Sequence, residues 1–199
     1  KTPRRQRQMC IRDRCLLEIL ANQGYGVIAT PFVNTLDHLE MAENVLSSFE
    51  NCLNHLYNSR ILRKKSLPIY GIGHSMGCKL HLLIGSLFPI ARAGNILISF
   101  NNFAARDAIP LVEQISSVVK VEFTPSPKIT NSLIQKRYQI RRNLLIKFND
   151  DNIDQTLRLS DLLRLRFPSM ITVQRLNGNH LTPLGQDLSW PVGQVYTPV

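Results

Sequence analysis

The feature that most constrains this chain is an apolar segment at residues 67–72, which runs directly into the glycine-flanked sequence Gly73–Gly77. The apolar segment predicts a short buried strand, and the pattern after Ser75 predicts a helix that begins near Met76. A G-x-S-x-G sequence between a strand and a helix is typical of a nucleophile elbow, in which a strained turn exposes the serine hydroxyl. Glycine is expected on both sides of the turn because a Cβ there would collide with its neighbours.

Strands and helices are predicted to alternate along the rest of the chain. Further strands are predicted at Tyr25–Thr30, Asn95–Phe100, Leu144–Phe148 and Met170–Leu176, and further helices at Cys15–Asn22, Leu36–Asn58 and Asp154–Phe167. Because the strands are short and apolar on both faces, the pattern predicts the α/β class, with a parallel sheet covered by helices. Ligands of such sheets bind beyond the carboxyl ends of the strands, and the predicted position of Ser75 is at such an end.

The sequence predicts one main domain at residues 15–199, preceded by a leader at residues 1–14 that is strongly basic and does not look native to the domain. Residues 101–143 are less regular and contain Pro125 and Pro127. We expect this segment to form a lid-like insertion that passes over the sheet.

The composition argues against several classes of function. The formal net charge is +10, but no basic patch is interleaved with aromatic residues and no reading-helix motif is present, so nucleic acid is not an expected partner. No apolar run approaches the roughly 18 residues that a membrane span requires. The four cysteines, Cys10, Cys15, Cys52 and Cys78, form no C-x-x-C pair and no ligand spacing with histidine, which predicts free thiols in a reducing compartment.

A serine hydroxyl needs a base to take its proton, and that base is usually a histidine oriented by a carboxylate. Two histidines follow Ser75 in the chain. His81 lies inside the predicted elbow helix and cannot reach back, whereas His180 lies in a glycine-bearing loop directly after the last predicted strand. His180 is therefore the expected base, and His74 is expected to pack against neighbouring loops.

The expected acid is one of two adjacent aspartates, Asp150 and Asp151, which directly follow the strand predicted at Leu144–Phe148. This position matches the order serine, acid, histidine that accompanies this type of elbow. The alternative is that both aspartates only form a turn or cap the next helix. The residues themselves leave the choice between the two aspartates open.

Three motifs in this order resemble those of the α/β-hydrolase superfamily from about Cys15 to Pro183: Gly73–Gly77, Asp150–Ile153 and Gly178–Pro183. Four stretches are similar, more closely, to an uncharacterised cyanobacterial and plant-chloroplast family known as domain of unknown function 1350: Gly71–His81, Asn95–Asn102, Leu144–Asp154 and Gly178–Asp187. The resemblance favours Asp151 as the acid, because Asn152 and Ile153 match the D-x-[IV] pattern of many such hydrolases. It also implies a location in the cyanobacterial cytoplasm or the chloroplast stroma, but no substrate.

The chain departs from the superfamily pattern at both ends, so we expect a truncated fragment that lacks the early strands and the final helix. A loop after one of those strands normally supplies the second oxyanion donor. Only the backbone N–H of Met76 is then expected to hold an oxyanion, and loss of one donor can cost about a hundred- to thousand-fold in rate. We therefore expect that the fragment could fold poorly and lack activity even where its parent protein is an enzyme.

The hypothesis that best fits the sequence is a serine hydrolase or acyl transferase that acts on a small ester or thioester through Ser75, His180 and Asp151, without a metal or organic cofactor. The alternative hypothesis is a non-catalytic scaffold of the same fold that binds a partner or a small ligand. A further hypothesis is that four basic residues bind an anionic part of the substrate: Lys136, Arg137, Arg141 and Arg142.

Overall fold

The structure, a computed structural model, describes residues 14–63, 66–105 and 122–184. Within these ranges the sheet has four parallel strands in the order β1-β2-β3-β4. They are β1 (Tyr70–His74), β2 (Gly94–Ile98), β3 (Asn143–Phe148) and β4 (Ile171–Leu176). The predicted α/β class, with a parallel sheet and flanking helices, is confirmed.

Five helices accompany the strands in the described part of the chain: α1 (Arg14–Asn22), α2 (His38–Asn58), α3 (Met76–Leu87), α4 (Pro127–Arg137) and α5 (Thr156–Arg164). Their ends follow ordinary capping rules. The Asp37 carboxylate accepts hydrogen bonds from the first turn of α2, and Ser126 does the same for α4, which has Pro127 in its first turn. Gly24 lies just past α1 with φ +85°, a conformation that glycine tolerates at the end of a helix.

The strand predicted at Tyr25–Thr30 is wrong, because the structure has no strand at these residues. Tyr25 is 66% exposed and Val27 is 36% exposed. The apolar side chains that indicated a buried strand are therefore not buried, and nothing favours an extended pairing there.

Among the described residues, packing separates one unit, residues 14–27 with 181–184, from a second unit at residues 28–63, 66–105 and 122–180. The described part of the first unit contains α1 and a short 3-10 turn at Thr182–Leu184. The second contains the sheet and helices α2 to α5. The predicted leader lies almost wholly outside the described residues, and the domain boundary at residue 15 stays a prediction.

The core of the second unit has two apolar clusters, and α3 contributes to both. Cys78 and Leu82 of α3 join a cluster with residues of β2, β3, α4 and α5, whereas Leu80, Leu83 and Ile84 of α3 pack against α2. Apolar burial on both sides explains why α3 is the most buried helix, and it fixes the start of α3 at the end of β1.

The lid-like insertion predicted at 101–143 stays a prediction, because residues 106–121 lie outside the described part. The described second half of this segment is packed into the core and does not form a lid. Ile134 of α4 and Tyr138, which follows it, are fully buried in the core. The Tyr138 hydroxyl donates to Asn143 and accepts from Asn95, which ties this segment to the start of the sheet.

Candidate active site

Ser75 lies between β1 and α3 in a left-handed backbone conformation, with φ 56° and ψ −121°. Such a conformation is strained for a residue with a Cβ and persists only where surrounding structure enforces it. Here the Ser75 N–H donates to the Ile98 oxygen at 2.9 Å, which anchors the turn to the neighbouring strand. The strand, sharp turn and helix predicted around Ser75 are confirmed.

The two glycines that flank Ser75 are not equivalent. A Cβ on Gly73 would lie 2.6 Å from the carbonyl carbon of Gly77 and 2.7 Å from the Cys78 nitrogen, so this position requires glycine. A Cβ on Gly77 would have no described atom within 4 Å beyond its chain neighbours and the backbone of α3 itself. The expectation that a side chain would collide at both positions is therefore wrong for Gly77, which already lies in the first turn of α3.

Cys78 lies beneath this turn and is fully buried. Its Sγ is 3.1 Å from the Gly73 oxygen and 3.2 Å from the Ile98 oxygen. Burial raises the pKa of the Cys78 thiol well above its ordinary value. The thiol therefore stays protonated and packs beneath the elbow, and it is free, as predicted.

The side chains of Ser75, His180 and Asp151 lie within hydrogen-bonding distance in series. His180 Nε2 is 3.0 Å from Ser75 Oγ, and His180 Nδ1 is 2.8 Å from Asp151 Oδ2. Since a carboxylate only accepts, Nδ1 carries the proton in the neutral imidazole, and Nε2 is left to accept from the serine hydroxyl. This tautomer is the one in which an imidazole can act as a general base.

Of the two adjacent aspartates, only Asp151 points into this series. Its second oxygen accepts a hydrogen bond from the Ile153 N–H at 3.2 Å, and the residue is 4% exposed. Asp150 is exposed, and its backbone N–H donates to the Gly178 oxygen. The geometry thus favours Asp151 over Asp150 as the partner of His180, and Asp150 belongs to the turn.

The other two histidines near the elbow have structural contacts. His74 Nε2 is 2.8 Å from the backbone oxygen of His180, as expected for a residue that packs against a neighbouring loop. His81 lies between the Ile72 oxygen and Arg92, at 2.9 Å and 2.7 Å. Burial, and then the charge of Arg92, lower the pKa of His81 to about 4, so this side chain is neutral.

Sequence reasoning missed one residue that contacts Ser75. Asn101 Nδ2 donates to Ser75 Oγ at 2.9 Å. The signal was available, because Asn101 follows the strand next to β1, and the carboxyl ends of parallel neighbours share one edge of the sheet. An amide is neither a base nor an acid, so the triad pattern does not indicate this residue.

Met76 is the first residue of α3, so its backbone N–H has no acceptor within the helix. The positive end of the helix dipole lies at the same point. These two features suit the Met76 N–H to an oxyanion, although its role stays a prediction.

The four basic residues that the sequence suggests as a site for an anionic substrate do not lie at the edge of the sheet where Ser75 lies. Arg141 and Arg142 directly precede β3, and Lys136 and Arg137 end α4. They therefore lie at the amino edge of the sheet, whereas Ser75 follows the carboxyl end of β1. The proposed contact between these cations and a substrate at Ser75 is wrong.

Within the described ranges, no group of three or more histidine, cysteine, aspartate or glutamate side chains could hold a metal ion. No helix there is long and apolar enough to cross a membrane. A shallow groove of about 430 Å³ lies between α5 and β4, and none of the residues around Ser75 lines it.

The sequence matches, over residues 8–199, the model of a family described as "Protein of unknown function (DUF1350)". No curated protein matches this sequence significantly.

A structure of the metagenome-derived lipolytic enzymes LipS and LipT is similar, with a TM-score of 0.58 and 14% identity over 87% of this chain and 81% of that chain. The thioesterase domain from the curacin biosynthetic pathway has a TM-score of 0.57 and 13% identity over 88% and 82%. The Pf2001 esterase of Pyrococcus furiosus has a TM-score of 0.57 and 14% identity over 84% and 67%. Similarity at these identities shows the fold, which is that of the α/β-hydrolases.

Proposed function

The chain belongs to the DUF1350 family, and we propose that it is a serine hydrolase that cleaves an ester or thioester through Ser75, His180 and Asp151. The observation that carries the proposal is the pair of hydrogen bonds at His180, 3.0 Å to Ser75 Oγ and 2.8 Å to Asp151 Oδ2. A strained serine between β1 and α3 supports it further, since strain of this kind is stored where a side chain must be presented.

In the proposed reaction, Ser75 Oγ attacks the carbonyl carbon while its proton passes to His180 Nε2. Asp151 accepts the hydrogen bond from Nδ1 and stabilises the imidazolium. The Met76 N–H stabilises the oxyanion of the tetrahedral intermediate. Collapse of this intermediate expels the alcohol or thiol, which takes the proton from His180. Water then repeats the sequence on the acyl-serine, which releases the acid and restores Ser75.

The proposed substrate class follows from this chemistry. An imidazole that returns one proton to a leaving oxygen or sulfur suits small esters and thioesters. The similar structures are of lipolytic enzymes, a thioesterase domain and an esterase, which is compatible with that class. We propose in addition that residues 101–105 border the substrate pocket, because they follow β2 and Asn101 contacts Ser75.

A scaffold without catalysis is the second candidate. A scaffold would retain the fold and bind a ligand at the same edge of the sheet, without a covalent step.

A fluorophosphonate probe separates the two candidates, because it phosphonylates only a serine whose base can take the proton. We expect the folded 199-residue chain to be labelled, the Ser75→Ala variant to lose the label, and Ser59→Ala, which changes an exposed serine, to keep it. A chain that is folded by circular dichroism but unlabelled would contradict the hydrolase proposal, as would labelling that survives Ser75→Ala.

A further inference from the structure

We propose that Asn101 is a further catalytic residue, whose side-chain amide holds the Ser75 hydroxyl toward His180 and stabilises negative charge on Oγ during bond making and breaking. The inference rests on the proposed hydrolase function. It is carried by the 2.9 Å hydrogen bond from Asn101 Nδ2 to Ser75 Oγ, the second partner of this oxygen beside His180.

The direction of each hydrogen bond at Ser75 follows from what its partners can do. An amide Nδ2 only donates, so Asn101 occupies a lone pair of Oγ. His180 Nε2 accepts, because Nδ1 donates to the carboxylate of Asp151. The single hydroxyl proton of Ser75 is therefore directed at His180, because the hydroxyl cannot donate to the Nδ2 of Asn101.

The backbone around Asn101 is held on both sides by one residue. The Gln155 N–H donates to the Phe100 oxygen at 2.7 Å, and the Gln155 side-chain oxygen accepts from the Asn102 N–H at 3.0 Å. Asn101 lies between these two anchors. Its side chain is therefore held in place relative to Ser75 before any substrate binds, which is the condition for electrostatic preorganisation.

The turn that precedes Asn101, like the elbow, contains a serine with a positive φ. Ser99 has φ 52° and is fully buried, and its N–H donates to the Ile146 oxygen at 2.9 Å. Left-handed backbone at a residue with a Cβ persists where the structure enforces it, and it concentrates at functional sites. One serine with a positive φ thus follows each of β1 and β2. The hydrogen bond between Ser75 and Asn101 joins these two strand ends.

The role of the amide is electrostatic, and no proton leaves it. As Oγ attacks, its O–H bond breaks, the proton moves to His180 Nε2, and an electron pair of Oγ forms the bond to the acyl carbon. In deacylation the bond between Oγ and the acyl carbon breaks, the electron pair returns to Oγ, and the proton comes back from His180. In both steps Oγ carries partial negative charge, which the Asn101 N–H stabilises.

The test is the second-order rate of fluorophosphonate labelling, measured for every variant at the same pH. We expect Asn101→Ala to slow labelling by about 10- to 100-fold, the range for a lost hydrogen bond to developing charge. Asn101→Asp keeps the shape but offers only acceptors, so it should draw the Ser75 proton away from His180 and be slower still. Asn149→Ala is the matched control, because this exposed asparagine at the same edge contacts Asn177 instead of Ser75.

The outcomes distinguish this inference from the proposed function. An unlabelled wild-type chain would overturn both. A labelled wild type with Asn101→Ala within about twofold of its rate would overturn the role of Asn101 alone. Asn101→Asp labelling faster than Asn101→Ala would show that the side chain only fills space, and would overturn it as well. Urea unfolding of each variant confirms that the compared proteins are folded.

Discussion

Nε2 of His74 lies 2.8 Å from the backbone oxygen of His180, and the two imidazole rings are 4.9 Å apart. Since a carbonyl oxygen only accepts, His74 donates this hydrogen bond. The second residue of the elbow therefore holds the loop that carries the expected base, and the positions of Ser75 and His180 are coupled through the backbone as well as through their side chains.

The first prediction concerns this coupling. His74→Phe keeps an aromatic ring beside His180 but deletes the hydrogen bond to its backbone, which frees the loop. Loss of one neutral hydrogen bond is worth about 1 kcal/mol, so fluorophosphonate labelling of Ser75 should slow by about fivefold. His55→Phe, at an exposed histidine of α2, is the control and should label at the wild-type rate. Equal rates for the two variants would show that the contact does not position the base.

The second prediction separates the two adjacent aspartates. Asp151→Asn replaces the carboxylate that accepts from His180 Nδ1 by an amide, which favours the wrong imidazole tautomer. The turnover number on a p-nitrophenyl ester should fall by about 10³- to 10⁴-fold. Asp150→Asn changes an exposed side chain one residue away and should stay within about threefold of wild type. The reverse order would assign the role of acid to Asp150.

Much of this fold could be predicted because local pattern and tertiary structure agree. The strand before Gly73, the helix after it and the later strand–helix pairs have short apolar runs and clear helical periodicity, and the structure confirms them within a few residues. Tyr25–Thr30 carries the same apolar signal, yet Tyr25 is 66% exposed. Sequence pattern cannot tell whether a partner strand exists, and burial decides the outcome.

The candidate site was predictable to the extent that its chemistry has a fixed chain order. Serine, acid and histidine follow this order at the ends of strands, which indicates Ser75, His180 and one of the two adjacent aspartates, whereas the preference for Asp151 comes from the resemblance to known hydrolases. Asn101 has no such order, because an amide donor can come from any loop that reaches the hydroxyl. The prediction that position 77 requires glycine was wrong for a related reason. A sequence motif does not show which atoms lie close to a residue.

The third prediction uses the two glycines of the elbow as a matched pair. Gly73→Ala places a Cβ 2.6 Å from the Gly77 carbonyl carbon, which must shift backbone, and should lower the free energy of unfolding by about 2–4 kcal/mol. The Cβ of Gly77→Ala has no close contact with the described residues outside the backbone of α3, so this variant should raise that free energy by up to about 1 kcal/mol. Urea unfolding monitored by circular dichroism measures both. Similar losses in the two variants would contradict the asymmetry.

The fourth prediction concerns His38, which is 3% exposed and stacks on Phe123 with ring centroids 4.4 Å apart. Neither of its ring nitrogens has a hydrogen-bond partner among the described residues. Burial, and then the charge of Lys79, lower the pKa of His38 to about 4, against the raising effect of Asp37. The folded state therefore holds His38 neutral at pH values where the unfolded chain protonates it.

The sign of the pH dependence follows directly. Between about pH 6.5 and pH 4 the unfolded state binds more protons at His38, so the free energy of unfolding decreases as the pH falls through this window, by up to about 1.4 kcal/mol per unit. His38→Phe removes this contribution, so its advantage over wild type should grow by about 2 kcal/mol between pH 7.5 and pH 5. His81, which is also neutral in the folded state, contributes the same pH dependence to both proteins. The free energy of unfolding of the variant therefore still decreases as the pH falls, but less steeply than that of wild type. Urea titrations at the two pH values measure the change, and parallel curves would mean that His38 is protonated equally in the folded and unfolded states.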